Sequence, residues 1–164
     1  MVLAGRGKLV SAFRLYRAAG GMGTPVMDII KIGALEIRFL HDKDSTHGGL
    51  DMFEMLVPPN GQVPIPHHHE SWDETVYGLE GQMSWTIAGK EVVTGPGASA
   101  FIPRGVVHQF HNRSGHPARV LSVLTPGVLG PAYFREIAAL VADGQPPDPA
   151  RMGAVMRKHG LVPA

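Results

Sequence analysis

Between Ile29 and Leu124 apolar and polar residues run in short β-like segments broken by glycine, proline and asparagine: ALEIRFL (34–40), LDMFEMLV (50–57), TVYGLEG (75–81), QMSWTIAG (82–89), EVVT (91–94), SAFIP (99–103), VVHQFHN (106–112) and ARVLSVLTP (118–126). Many short strands at this spacing predict an all-β sandwich or barrel. Alternation is clearest where Met83, Trp85 and Ile87 share one face and Ser84 and Thr86 the other, so one face belongs to the core. After TPGVLGP the period changes. Pro131 suits the first position of a helix, Tyr133, Phe134, Ile137, Leu140 and Val141 form its apolar stripe, and Gly144 stops it. A second helix is predicted with Asp148 as N-cap, Pro149 at its first position, Met152, Val155 and Met156 packing inward, and Gly160 at its end. The expected organisation is a peripheral basic arm over 1–27, a barrel over 28–127 and a helical segment over 128–164 that packs on the barrel.

Composition narrows the function classes. At 164 residues, 44% hydrophobic and 18% charged, the chain has the length and balance of one globular domain. A formal net charge of +1 gives no bulk preference for nucleic acid or acidic lipid, and no apolar run is long enough for a membrane helix. With no cysteine there is no thiolate ligand or nucleophile, so any metal must rest on nitrogen and oxygen donors. A cytoplasmic protein with a small-molecule substrate, and neither nucleic-acid nor membrane partners, is expected. The first stretch carries Arg6, Lys8, Arg14 and Arg17 with no acid before Asp28. It reads as a short amphipathic helix, a disordered arm or sequence ahead of a start at Met22 or Met27, and in each case as peripheral to the chemistry.

The chemistry concentrates in PHHHESWDE (66–74). Pro64 and Pro66 bias the residues before them toward extended geometry, so the histidines begin in a strand. Alternation then turns His67 and His69 one way and His68 the other. Glu74 follows a turn and could return a carboxylate to the same face, with Glu70 and Asp73 as rivals on composition alone. In VVHQFHN, His108 and Phe110 share a face opposite Gln109 and His111, and one pair faces inward.

Together these segments resemble the cupin superfamily. GQVPIPHHHESWDETVYGLEG matches the first cupin motif at Gly61, His67, His69, Glu74 and Gly81; GASAFIPRGVVHQFHN matches the second at Gly97, Pro103, Gly105, His108 and Asn112. The resemblance, over about Ile29 to Pro126, implies a single double-stranded β-helix, or jelly-roll, barrel. Within it His67, His69, Glu74 and His108 would bind one divalent transition metal, iron first, with manganese, nickel, cobalt, copper or zinc as alternatives. It also selects Glu74 over its neighbours and suggests a homodimer. The ending, a Pro-Gly loop followed by a YF helix, is similar to small single-domain quercetin dioxygenase-like cupins, although characterised flavonol dioxygenases usually have two cupin units.

Three histidines and a carboxylate leave positions of an octahedral metal open, as in non-haem iron oxygenases. The leading expectation is a metal-dependent dioxygenase acting on a small enolic or phenolic molecule, with Glu74 also accepting the substrate's proton. The alternatives are a non-oxidative isomerase, lyase or decarboxylase and a non-catalytic ligand-binding cupin. Val76, Met83, Trp85, Ile87, Phe101 and Phe110 are the expected pocket wall, and Trp72 is expected either as an exposed lip or as an interface residue. His41, His47, His68, His111, His116 and His159 receive no ligand role.

Overall fold

The computed structural model describes residues 29–63, 65–144 and 148–164. The predicted arm over 1–27 lies outside them. Eleven strands and two helices are described: β1 (Ile29–Ile32), β2 (Leu35–His41), β3 (Asp51–Val57), β4 (His67–His69), β5 (Asp73–Glu80), β6 (Met83–Ile87), β7 (Lys90–Thr94), β8 (Ser99–Ile102), β9 (His108–His111), β10 (Ala118–Thr125), α1 (Gly130–Leu140), α2 (Pro149–Lys158) and β11 (Leu161–Pro163). They form two antiparallel sheets, β1-β2-β3-β10-β5-β8 and β11-β4-β9-β6-β7, which enclose the core. All-β architecture with two short C-terminal helices is the fold that the alternation predicted.

Strict alternation places the inward faces. In β3, Asp51, Phe53, Met55 and Val57 are buried while Met52, Glu54 and Leu56 are half-exposed, and β10 repeats the pattern with Ala118, Val120, Ser122 and Leu124. These two strands pair over seven residues, Ala118 opposite Val57 through Leu124 opposite Asp51. On the outer face Glu54 holds both Arg38 (2.6 Å) and Arg119 (3.2 Å). Tight backbone contact constrains the β5–β7 junction. A Cβ at Gly78 would lie 2.0 Å from the Gly95 carbonyl oxygen, so only glycine fits there.

The helices close one side of the molecule. Buried Asp51 accepts hydrogen bonds from the backbone N–H groups of Leu129 (3.0 Å), Gly130 (3.1 Å) and Lys43 (2.7 Å), placing a carboxylate against the unpaired donors at the start of α1. Phe134 then packs against Phe39 and Phe53 at centroid distances of 5.7 and 5.1 Å, fixing α1 to the six-stranded sheet. Helix α2 starts as the sequence predicts, the Asp148 carboxylate accepting from Ala150 N–H at 2.9 Å. Glu136 of α1 binds Lys158 and His159 at 2.8 and 3.0 Å and joins the helices. The chain does not end in helix. After Gly160 it returns as β11, pairing with all three histidines of β4. Among the described residues no helix is long and apolar enough to cross a membrane.

Candidate metal centre

Strand β4 is short, and its alternation sends His67 and His69 inward while His68 stays half-exposed on the other face. β9 lies beside it, with His67 directly opposite His108. Glu74 enters from the facing sheet as the second residue of β5, between Leu124 of β10 and Ile102 of β8. Each of His67, His69, Glu74 and His108 is less than a tenth exposed.

One ring nitrogen from each of His67, His69 and His108 lies within 4.8 Å of the other two. The Glu74 Oε2 atom is 3.5 Å from His108 Nε2 and 3.9 Å from His69 Nε2. Two donors sharing an ion at roughly 2.1 Å would stand about 3 to 4 Å apart, so the two Glu74 spacings suit one ion. The ring orientations suit it too. His67 Nδ1 lies 3.0 Å from the Ile65 carbonyl and His108 Nδ1 3.0 Å from the Val106 carbonyl. With Nδ1–H donating to backbone oxygen, each ring carries its lone pair on Nε2. His69 Nδ1 is buried with no such partner, and its Nε2 faces Glu74; the three imidazoles together could hold a metal ion.

Electrostatics hold three of the four donors in binding form. Burial, reinforced by His108, takes His67 down to about 4; burial takes His69 down to about 3 even though the Glu74 charge opposes it. Burial alone would raise Glu74, but the His108 hydrogen bond and the His69 and His108 charges bring it to about 2. Burial disfavours charged His108, yet its hydrogen bond to Glu74 wins and its pKa rises. Glu74 is therefore an ionised carboxylate and His67 and His69 are neutral at pH 7.

Of the three local carboxylates only Glu74 faces the cluster. Glu70 is exposed, and Asp73 points outward to bind Arg104 through both oxygens at 3.1 and 2.8 Å. The Arg104 hydrogen bonds hold Asp73 down at about 2. Trp72 must be corrected. It is neither exposed lip nor interface residue but 1% exposed, its ring stacked on His69 at 4.6 Å and 21°. Its polar neighbours Ser71 and Asp73 suggested a surface turn; Gly160, which leads into a strand β11 absent from the sequence reading, lies against the indole.

The chamber around the cluster is small, about 80 Å³, with Trp85 and Phe110 in its wall together with Phe53, Met55, Leu129 and Leu161. Val76 and Met83 are fully buried but lie outside this lining, and Ile87 is half-buried outside it too. Phe101 is a correction: it is 59% exposed, because β8 turns Ile102 inward and Phe101 outward. Asn112, a motif residue without a predicted role, is structural. Its buried amide nitrogen lies 2.8–3.1 Å from the carbonyls of Val57, Pro58 and His116. His41, His47 and His116 are exposed, His111 is half-buried on β9, and His159 has a partner in Glu136.

A family model described as "Cupin domain" matches residues 53–124. Quercetin 2,3-dioxygenase of Bacillus subtilis is 37% identical over 79 residues, 48% of this chain and 23% of that protein. The tetracenomycin polyketide synthase protein TcmJ of Streptomyces glaucescens is 33% identical over 82 residues, 50% of this chain and 53% of that one. The chain thus spans about a quarter to a half of the curated relatives it matches. Among solved structures, the polyketide cyclase RemF of Streptomyces resistomycificus superposes with a TM-score of 0.54 at 29% identity, covering 66% of this chain and 80% of that one.

Proposed function

We propose, starting from a chain that belongs to the cupin superfamily, that His67, His69, Glu74 and His108 hold one divalent transition metal and that the centre acts on a small enolic or phenolic molecule. The observation that carries this is the convergence of three imidazoles, two of them held neutral, and an ionised carboxylate in a small chamber whose wall is otherwise mostly apolar. In such a place an unpaired charge is costly and a bound cation balances it. The bound metal would supply Lewis acidity toward a deprotonated substrate oxygen and, in the oxygenase reading, a position for dioxygen. The protein's own groups do the rest. The Glu74 carboxylate accepts the proton of the enol or phenol, and His108 at 3.5 Å steadies it. Trp72, stacked on His69, fixes that ring, while Phe53, Trp85, Phe110 and Leu124 exclude bulk water.

The likeness to a quercetin 2,3-dioxygenase supports oxidative chemistry as the leading reading; iron is the first candidate because nitrogen and oxygen donors with open positions suit non-haem iron. A second reading is non-oxidative ring closure on an enolisable polyketide. It is favoured because one curated relative is a polyketide synthase protein and one structural neighbour a polyketide cyclase.

The test begins with metal analysis of untagged protein. One metal per chain is expected, lost in His69→Ala and His108→Ala and kept in His68→Ala. Retention of stoichiometric metal by both ligand variants would sink the centre. Oxygen uptake with quercetin, catechols and simpler enols follows. Metal-dependent uptake supports the dioxygenase; substrate loss without oxygen supports the second reading.

A further inference from the structure

Two cavities meet inside this fold. The smaller holds the histidine cluster; the larger, about 400 Å³, lies between the barrel and the helices α1 and α2. Met55, Val63, Phe110, Tyr133 and Phe134 line both and form a shared wall. We propose that the larger cavity is a second binding chamber, which holds the uncharged, ring-bearing body of a ligand whose oxygen-bearing end reaches the cluster past Tyr133. The orientation of the ligand rests on the metal reading above; its capture in the outer chamber does not.

Size is the first ground. A cavity of about 150 Å³ is what one benzene ring takes in a protein interior, and the inner chamber at about 80 Å³ is below that. It can admit a reacting group but not a ring system. The outer chamber falls within the roughly 300–1,000 Å³ of small-molecule sites. Lining chemistry is the second ground. Among the described residues, the polar side chains around the outer chamber are Asn60, Gln62 and Tyr133, and no Asp, Glu, Lys, Arg or His lines it. An anion entering it would lose its hydration and meet no cationic side chain among these residues.

Tyr133 is the third. It is 8% exposed and lines both chambers, the one phenol in their shared wall. Burial raises its pKa, so it remains a hydrogen-bond donor at neutral pH. A ligand oxygen that accepts from this hydroxyl gains a hydrogen bond at the junction of the two chambers. The helices supply part of the outer wall. Ile137, Val141, Met152 and Met156 all lie beyond the residues 53–124 that match the family.

The experiment uses the full chain, stripped of metal with a chelator, and measures binding of 2-naphthol, naphthalene and 2-naphthoate by equilibrium dialysis at pH 7. Saturable one-to-one binding of the two neutral probes is expected, with the carboxylate at least about tenfold weaker. Two variants block the chamber. Ala34→Trp, at an exposed turn on the rim, and Val141→Trp, at the end of α1, should each abolish binding while circular dichroism and metal stoichiometry stay unchanged. Tyr133→Phe should weaken 2-naphthol roughly three- to tenfold and leave naphthalene unaffected. Absence of saturable binding, equal binding of the naphthoate or indifference to both tryptophan variants would overturn the proposal. So would binding that appears only after residues 1–28 are deleted, which would make that segment the occupant, or a dimer that Ala34→Trp dissociates, which would make it a second copy. If naphthol binds as expected but His69→Ala and His108→Ala keep their metal, the chamber stands and the metal reading alone falls.

Discussion

His69 shows how tightly a single residue in this site is held. Its ring is buried, its Nε2 faces Glu74, and its plane lies against Trp72, whose far edge meets Gly160. Gly160 has φ +81°, and a Cβ there would stand 3.0 Å from the Trp72 ring, so backbone conformation and space both require glycine. Trp72→Ala should cost about 3–5 kcal/mol in urea unfolding through the cavity it leaves. It should also weaken metal binding while keeping all four donors. Trp72→Phe, which retains a ring beside His69, should recover most of the affinity. Unchanged metal affinity in the alanine variant would show that the imidazole needs no stacking partner. At this scale the four donors were legible because β alternation and motif spacing are local properties of sequence. The burial of Trp72 was not, since the residues that cover it come about ninety positions later and leave no mark on the SWDE turn.

Among the elements, β4 is the weakest by its own resources and the most important by position. It is three residues long, meets β9 at the single pair His67–His108, and gains its fuller ladder from β11: Leu161 opposite His69, Val162 opposite His68, Pro163 opposite His67. Two further bonds continue that ladder, Glu70 N–H to the Gly160 carbonyl at 3.1 Å and Ala164 N–H to the Pro66 carbonyl at 2.9 Å. The last strand of the chain therefore holds the strand that carries two of the candidate ligands. Deleting residues 161–164 removes no donor to the metal, yet it should lower metal affinity by about tenfold or more, because freeing a strand of three residues costs roughly 1–2 kcal/mol of ordering per residue on rebinding. Isothermal titration with zinc measures it, and wild-type affinity in the truncated chain would show β4 to be held by β9 alone. Leu161–Pro163 was invisible to pattern reading. Three residues cannot display a period of two, and the preceding helix end drew them into a helical segment. The helices themselves were legible through Pro131, Asp148 and Pro149, whose preferences are set by backbone chemistry.

For the whole molecule, the question is whether the barrel stands without its metal. The main core includes Ile37, Phe53, Val76, Met83, Trp85, Ile102, Val120 and Leu124, which pack without help from the histidines. A chain of this length buries enough apolar surface to fold on that core, unlike a zinc finger. Protons nevertheless act on it. His67 and His69 have folded pKa values of about 4 and 3, below the value near 6.5 of an unfolded histidine. Their depressed values contribute stability that is present above pH 6.5 and declines as the pH falls toward 3, where the unfolded chain has taken up protons that the folded one resists. Metal binding must fail earlier in the same descent, because one protonated imidazole already removes a donor, and His108 has a raised pKa in the metal-free site. In a pH series, metal retained after dialysis should therefore fall at a higher pH than β-sheet ellipticity does, and chelation at pH 7 should leave the ellipticity unchanged. If the two transitions coincide, the metal is the keystone of the barrel, and a centre with positions open to substrate becomes hard to sustain.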